Sequence, residues 1–171
     1  MSLKCTQQNL VLLQRLEGLV KENESYRQRN KFDLALVGVL SNVTAGDVSI
    51  ICTDTRGFIT YFSPGASALL GYQPDEIVGV HTPLKIHQPR EVDERSKQLE
   101  AELGKKITGF NVFVENPQRT GLEETRKWTY VRKDGQNVKV SLSVKPIYDD
   151  GAQIIGFVGI AKEVSNVVPS V

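Results

Sequence analysis

The sequence predicts an α+β domain of five antiparallel strands with several short helices and one longer helix between them, preceded by a helical extension. Three observations carry this. Two apolar runs, Val48–Thr53 and Phe58–Phe62, flank the turn-forming stretch Asp54-Thr55-Arg56-Gly57. Three segments opened by Pro64, Pro74 and Pro89 follow with helical punctuation. From Arg126 on, three more apolar-patterned runs are joined through Asp134-Gly135 and Asp150-Gly151, the residue pairs that tight hairpins favour.

Composition sets the frame. A chain of 171 residues has length for one ordinary domain and an extension. With 21 Lys and Arg against 20 Asp and Glu, the net charge of +1 supplies no field for nucleic acid or an acidic membrane surface. Cys5 and Cys52 stand far apart with no CxxC pattern, so no disulfide framework or structural zinc site is predicted. No apolar run reaches the ~18 residues of a spanning helix, and the amino terminus lacks a signal-peptide pattern. The expectation is a cytoplasmic chain without direct membrane contact.

Residues 1–43 read as a helical, coiled-coil-like extension. Leu13, Leu16 and Val20, then Leu34 and Val37, keep the alternating spacing of three and four of a coiled-coil seam, while Asn23, Arg27 and Asn30 interrupt it. Leu13, Leu16, Val20, Leu36 and Leu40 are the candidate dimerisation residues. Packing of the later turns on the chain's own domain, through Leu36, Leu40 and Val43, is an equally open reading, and the two are compatible.

The domain proper spans 44–165. After the first hairpin, Ser63 is placed to cap a helix with Pro64 at its first position and Gly71 past its end. Pro74, with Asp75 and Glu76 in the first turn and Gly79 as a stop, repeats the punctuation. Pro89 opens a longer helix to Leu103, closed by Gly104, with Val92, Ser96, Leu99 and Leu103 on one stripe and charged residues elsewhere. The pattern assigns no structure to 104–126.

In the last three runs, Val138, Val140, Leu142 and Val144 alternate with polar residues, which predicts a half-buried strand. Ile154 to Ala161 is apolar or glycine throughout, which predicts a strand covered on both faces, with Leu34 to Val43 as the candidate cover. The charged quartet Arg132-Lys133-Asp134-Gly135 reads as a corner. Asp134 and Gly135 would supply positive-φ positions and the two cations would face solvent. It lacks the consecutive glycines ahead of a helix that a phosphate cradle needs.

This order of elements, with Asp54, Gly57, Leu70-Gly71-Tyr72 and Lys133-Asp134-Gly135 in place, closely resembles the PAS sensory-domain family in its bacterial signalling form, over residues 44–165. Ser63 stands where that family has Asn, and Glu163-Val164-Ser165 where it has Asp-Ile-Thr. The resemblance implies a five-stranded sheet in which the second and first strands lie beside the fifth, fourth and third. Helices would pack over one face around a small cavity. It also implies a sensor that passes a conformational bias through helical linkers to an output domain, commonly a diguanylate cyclase or a histidine kinase. In that frame Asp54, Glu163 and Ser165 are the signal-relay candidates and 166–171 starts the linker to the output domain.

The candidate ligand-binding residues are Cys52, Tyr61, Ile86, Trp128, Tyr130, Val140, Leu142 and Phe157. A flavin-cysteine adduct is disfavoured, because neither Cys5 nor Cys52 falls in the helical region. Haem needs an axial ligand, and His81 and His87 sit ahead of the long helix rather than within it, as polar loop or capping residues would. Non-covalent flavin, stacked on Trp128 or the tyrosines, stays open beside the reading of those aromatics as core. No catalytic or metal-binding constellation is found: Ser141 and Ser143 lack a nearby histidine, and the histidines lack i, i+4 partners. Two functions remain: a ligand-responsive sensor, or a ligand-free dimerisation and relay module.

Overall fold

The computed structural model describes residues 48–164. In chain order they form β1 (Val48–Asp54), β2 (Ile59–Phe62), α1 (Pro64–Leu70), α2 (Pro74–Ile77), a 3-10 turn (Pro83–Ile86), α3 (Pro89–Leu103), α4 (Asn111–Thr120), β3 (Glu124–Val131), β4 (Asn137–Tyr148) and β5 (Ile154–Glu163). The strands make one antiparallel sheet in the order β2-β1-β5-β4-β3, as the family resemblance implies. The seam residues Leu13, Leu16, Val20, Leu36 and Leu40, together with Ser165 and 166–171, lie outside the described residues.

The period of two decides which strand residues meet the helices. Register sets Thr53 against Phe157, Ile51 against Gly159 and Leu142 against Ala161, so these residues share one face with Val144, Trp128 and Tyr130. That face and the apolar sides of the helices, including Leu70, Ile77, Ile86, Leu99 and Val112, make one core. Each fully buried aliphatic side chain there contributes about 1.5–3 kcal/mol relative to exposure.

Caps fix the helix ends. Ser63 Oγ accepts the Ala66 N–H at 3.1 Å and also the Ile50 N–H at 3.0 Å, so one hydroxyl starts α1 and ties it to β1. Gly71 ends α1 at φ +78°. In α2 the Glu76 carboxylate reaches back to the Gln73 N–H at 2.9 Å. The extended Val78 ends that helix rather than Gly79, whose N–H bonds the Ile59 carbonyl of β2 at 2.7 Å.

Segment 104–126 contains a helix that the pattern did not announce. α4 runs through Asn111–Thr120 with Val112, Phe113, Val114 and Pro117 buried. Three consecutive apolar residues read as strand, Pro117 as a breaker, and Phe110 at the N-cap offers no capping side chain.

Two hairpin expectations are corrected. Asp134 does not take a positive φ; only Gly135 does, and the Asp134 carboxylate accepts the Gln136 N–H at 2.9 Å. In the last hairpin the left-handed residue is Ala152, at φ +59°, not Gly151 or Asp150. The Asp149 carboxylate holds that turn through the N–H groups of Gly151 and Gln153, both at 2.9 Å. The outward positions of β5 are also less covered than expected, since Ile155 and Ile160 keep 49% and 42% of their surface exposed.

Candidate functional site

The core encloses a cavity of about 30 Å³ between the inner sheet face, the 3-10 turn and the start of α4. Ile51, Thr53, Tyr130, Leu142, Val144 and Phe157 line it from the sheet. Pro83, Ile86 and His87 close one side, and Phe110, Phe113 and Val114 the other. Room of this kind holds about two water molecules.

His87 is the polar centre of the wall. It is 2% exposed, because the chain between the 3-10 turn and α3 is drawn against β3 by an isolated β-bridge to Tyr130 and by the Gln88 N–H on the Thr129 carbonyl at 3.0 Å. Nδ1 donates to the Pro83 carbonyl at 2.7 Å, which leaves the acceptor lone pair on Nε2. Ring centroids of Phe113, Tyr130 and Trp128 lie at 4.2, 4.7 and 5.3 Å. Burial among these rings pushes the imidazole pKa down to about 4, only partly offset by the Pro83 hydrogen bond and the Glu91 charge. The side chain is therefore neutral at pH 7. Two of the lining residues each carry a buried polar atom, His87 Nε2 and Thr53 Oγ1, with no protein hydrogen-bond partner.

The structure brings Ile86, Tyr130, Leu142 and Phe157 of the eight ligand candidates to this cavity. Trp128 faces inward beside it, with its ring edge on His87, and Val140 is fully buried in the core. Cys52 and Tyr61 belong to the other face of the sheet. They pair with each other across β1 and β2, while Ile51 and Thr53 on either side of Cys52 line the cavity, so strand alternation turns both away. Burial pushes the Cys52 thiol up to about 11, which leaves it protonated and unreactive.

His87 and Thr53 were not among the candidates. A lone histidine in an Ile-His-Gln-Pro stretch carries no periodic signal of burial, and Thr53 stands at the end of its apolar run. Phe110 and Phe113 lay in the segment without an assigned structure. Of the relay candidates, Asp54 holds its own turn: Oδ1 accepts the Arg56 and Phe58 N–H groups at 3.0 and 2.9 Å, and Oδ2 pairs with the Arg56 guanidinium at 2.8 Å. Glu163 ends β5 and stands 3.8 Å from Arg132.

The Arg132-Lys133 corner, with Lys133 exposed as expected, is also a structural tie. Lys133 donates its backbone N–H to the Leu70 carbonyl at 2.9 Å and sets its ammonium 2.5 Å from Glu76, 6.0 Å from the centre of the Tyr72 ring. The Leu-Gly-Tyr and Lys-Asp-Gly stretches thus meet in space, with an added Cβ on Gly71 reaching 3.6 Å from Lys133 Cβ.

Flavin and haem do not fit the cavity as packed. Ligand pockets for drug-sized molecules run to about 300–1,000 Å³. Among the described residues no group of three or more His, Cys, Asp or Glu side chains could hold a metal, and no helix is long and apolar enough to cross a membrane.

A PAS domain family model matches residues 47–166. The curated protein named two-component system protein A, from Emericella nidulans, is 30% identical over 123 residues. The match takes in 72% of this chain and 16% of that protein, so the chain spans only a small part of its relative's length. Among solved structures, a PAS domain from Colwellia psychrerythraea superposes with a TM-score of 0.56 at 21% identity, covering 74% of this chain and 96% of that one. A light-oxygen-voltage domain, described in a study with a flavin analogue, gives 0.54 at 19% identity, covering 75% and 85%. At these identities the structural likeness speaks for the fold.

Proposed function

The chain belongs to the PAS domain family, and on that premise we propose that its domain is a ligand-responsive sensor whose small molecule sits in the His87 cavity. The observation that carries this reading is the pair of buried, unpartnered polar atoms, His87 Nε2 and Thr53 Oγ1, in a lining that is otherwise apolar. An unpaired buried polar group costs about 1–3 kcal/mol, and a ligand that pairs with it recovers that cost. Such a ligand acts as a signal by favouring one of two arrangements of the walls, since only differential affinity shifts an equilibrium.

The signal would leave through helical linkers toward an output domain, with Glu163 and Ser165 at the exit and a homodimer held by the seam from Leu13 to Val20. The relative's name supports a two-component pathway, and the output domain in this reading is a diguanylate cyclase or a histidine kinase. That relative comes from Emericella nidulans and does not support a bacterial setting. Catalysis in this reading belongs to the output domain.

Native mass spectrometry of the freshly purified chain, followed by its denatured spectrum, tests the sensor. An extra mass lost on denaturation is expected; a bare chain that gains no mass from added small molecules would overturn it. One observation favours a second reading, a ligand-free dimerisation and relay module: the cavity is only about 30 Å³. That module predicts that Leu13→Lys with Leu16→Lys weakens the dimer in sedimentation while the sensor cavity stays unchanged.

A further inference from the structure

We propose that the His87 cavity selects a small, uncharged aromatic molecule bearing one O–H or N–H donor, which it gives to His87 Nε2. This rests on the sensor reading and adds the ligand's chemistry.

The donor requirement follows from the tautomer. Nδ1 is committed to the Pro83 carbonyl at 2.7 Å, so Nε2 can only accept while the ring is neutral. Thr53 belongs to the same lining and its Oγ1 is likewise buried without a partner, so its hydroxyl can donate to a lone pair on the ligand. One acceptor and one hydroxyl in an apolar enclosure match a phenol-like group.

Charge is excluded by what lines the cavity. No lysine, arginine, aspartate or glutamate does so, so neither an anion nor a cation would find a counter-charge there. The Glu91 carboxylate, whose charge acts on His87, is engaged by Thr129, whose N–H and hydroxyl it accepts at 2.6 and 2.7 Å.

Flatness follows from the walls. Phe113 is tilted 38° to His87, Tyr130 stands at 78° to it, and Phe110 and Phe157 meet at 67° with centroids 5.8 Å apart. An added ring continues this tilted and edge-on packing. A single aromatic ring exceeds the present volume, so one wall must give way. Phe110 is the candidate: it is half-buried and precedes α4 at an N-cap position with no capping hydrogen bond.

Calorimetric titration of the whole chain with phenol, toluene and benzoate decides the matter, using the natural sequence, His87→Phe and Thr53→Val. Phenol is expected to bind about tenfold more tightly than toluene, the effect of one hydrogen bond to a buried acceptor, with no binding of benzoate. His87→Phe should erase the preference for phenol. Thr53→Val is nearly isosteric; should the His87 variant not fold, it carries the test by lowering phenol affinity severalfold and leaving toluene unchanged. Toluene or benzoate binding as tightly as phenol, or a preference that survives both substitutions, overturns the assigned chemistry while leaving the cavity a ligand site. Binding of none of the three overturns this proposal together with the reading of the cavity as a ligand site.

Discussion

Glu91 grips Thr129 twice, its carboxylate accepting the backbone N–H at 2.6 Å and the side-chain hydroxyl at 2.7 Å. Glu91 sits in the first turn of α3 and Thr129 in the middle of β3, next to Tyr130. The clamp therefore seats the segment that carries His87 against the sheet, and whatever moves the cavity wall must work against it.

Removing that clamp has a graded expectation. Glu91→Ala deletes both acceptors and leaves the Thr129 N–H without a partner, which should cost about 2–3 kcal/mol. Glu91→Gln retains one carbonyl acceptor and should cost roughly half as much. Urea unfolding at pH 7 measures both, and equal losses for the two variants would mean the hydrogen bond that Gln retains contributes nothing.

His87 sets a pH dependence whose sign is fixed by its burial. The imidazole titrates near 6.5 in an unfolded chain and at about 4 in the folded one. Between those values the unfolded state holds the proton and the native state does not, so stability is complete above about pH 6.5 and declines as pH falls toward 4. From pH 7 to pH 5 the loss should be about 2 kcal/mol, at a pH where ordinary carboxylates are still ionised. Denaturant melts at the two pH values give the difference, and His87→Phe should flatten it. A natural chain equally stable at both would show that the ring is hydrated.

Gly57 and Phe110 make a third testable pair. Gly57 turns the first hairpin at φ +92°, and a Cβ there would lie 2.7 Å from Phe110 Cδ1. Gly57→Ala adds left-handed strain to a steric overlap and should destabilise by about 2–4 kcal/mol. In the Phe110→Ala background the overlap with the ring disappears and only the contact with Cβ, at 2.9 Å, remains beside the strain, so the double variant should be less than additive by roughly 1 kcal/mol. Strict additivity in a thermal-denaturation cycle would separate the two residues.

The sequence carried the strands and the helix caps because those signals are local. Ser63, Pro64 and Gly71 announce α1 by residue type, and the alternation from Val138 to Val144 announces the half-buried strand β4. The cavity was harder to read because its walls are assembled by register and by long-range contact. Cys52 stands one residue from Ile51 and from Thr53, and that single step places its side chain on the opposite face of the sheet. His87 left no trace in any pattern, since its burial comes from a bridge to Tyr130, 43 positions further along the chain.

Arg95 shows a signal that the sequence does carry. The apolar stripe on α3 reads as Val92, Ser96, Leu99 and Leu103 with solvated charges, yet Val92, Arg95 and Leu99 also keep the spacing of three and four, and these are the buried residues. The Arg95 side chain is 5% exposed and pairs with Glu124 at 2.8 Å and Glu102 at 3.4 Å. Arg95→Met keeps most of the aliphatic volume but leaves Glu124, which is partly buried, without its cation. Because Glu124 retains some solvent, the expected cost is about 2 kcal/mol, below that of breaking a fully buried pair. Adding Glu124→Gln to Arg95→Met removes the stranded charge and should return about half of the loss. Melting temperatures of the single and double variants test this, and a double variant less stable than Arg95→Met alone would mean that Glu124 is held by something other than Arg95.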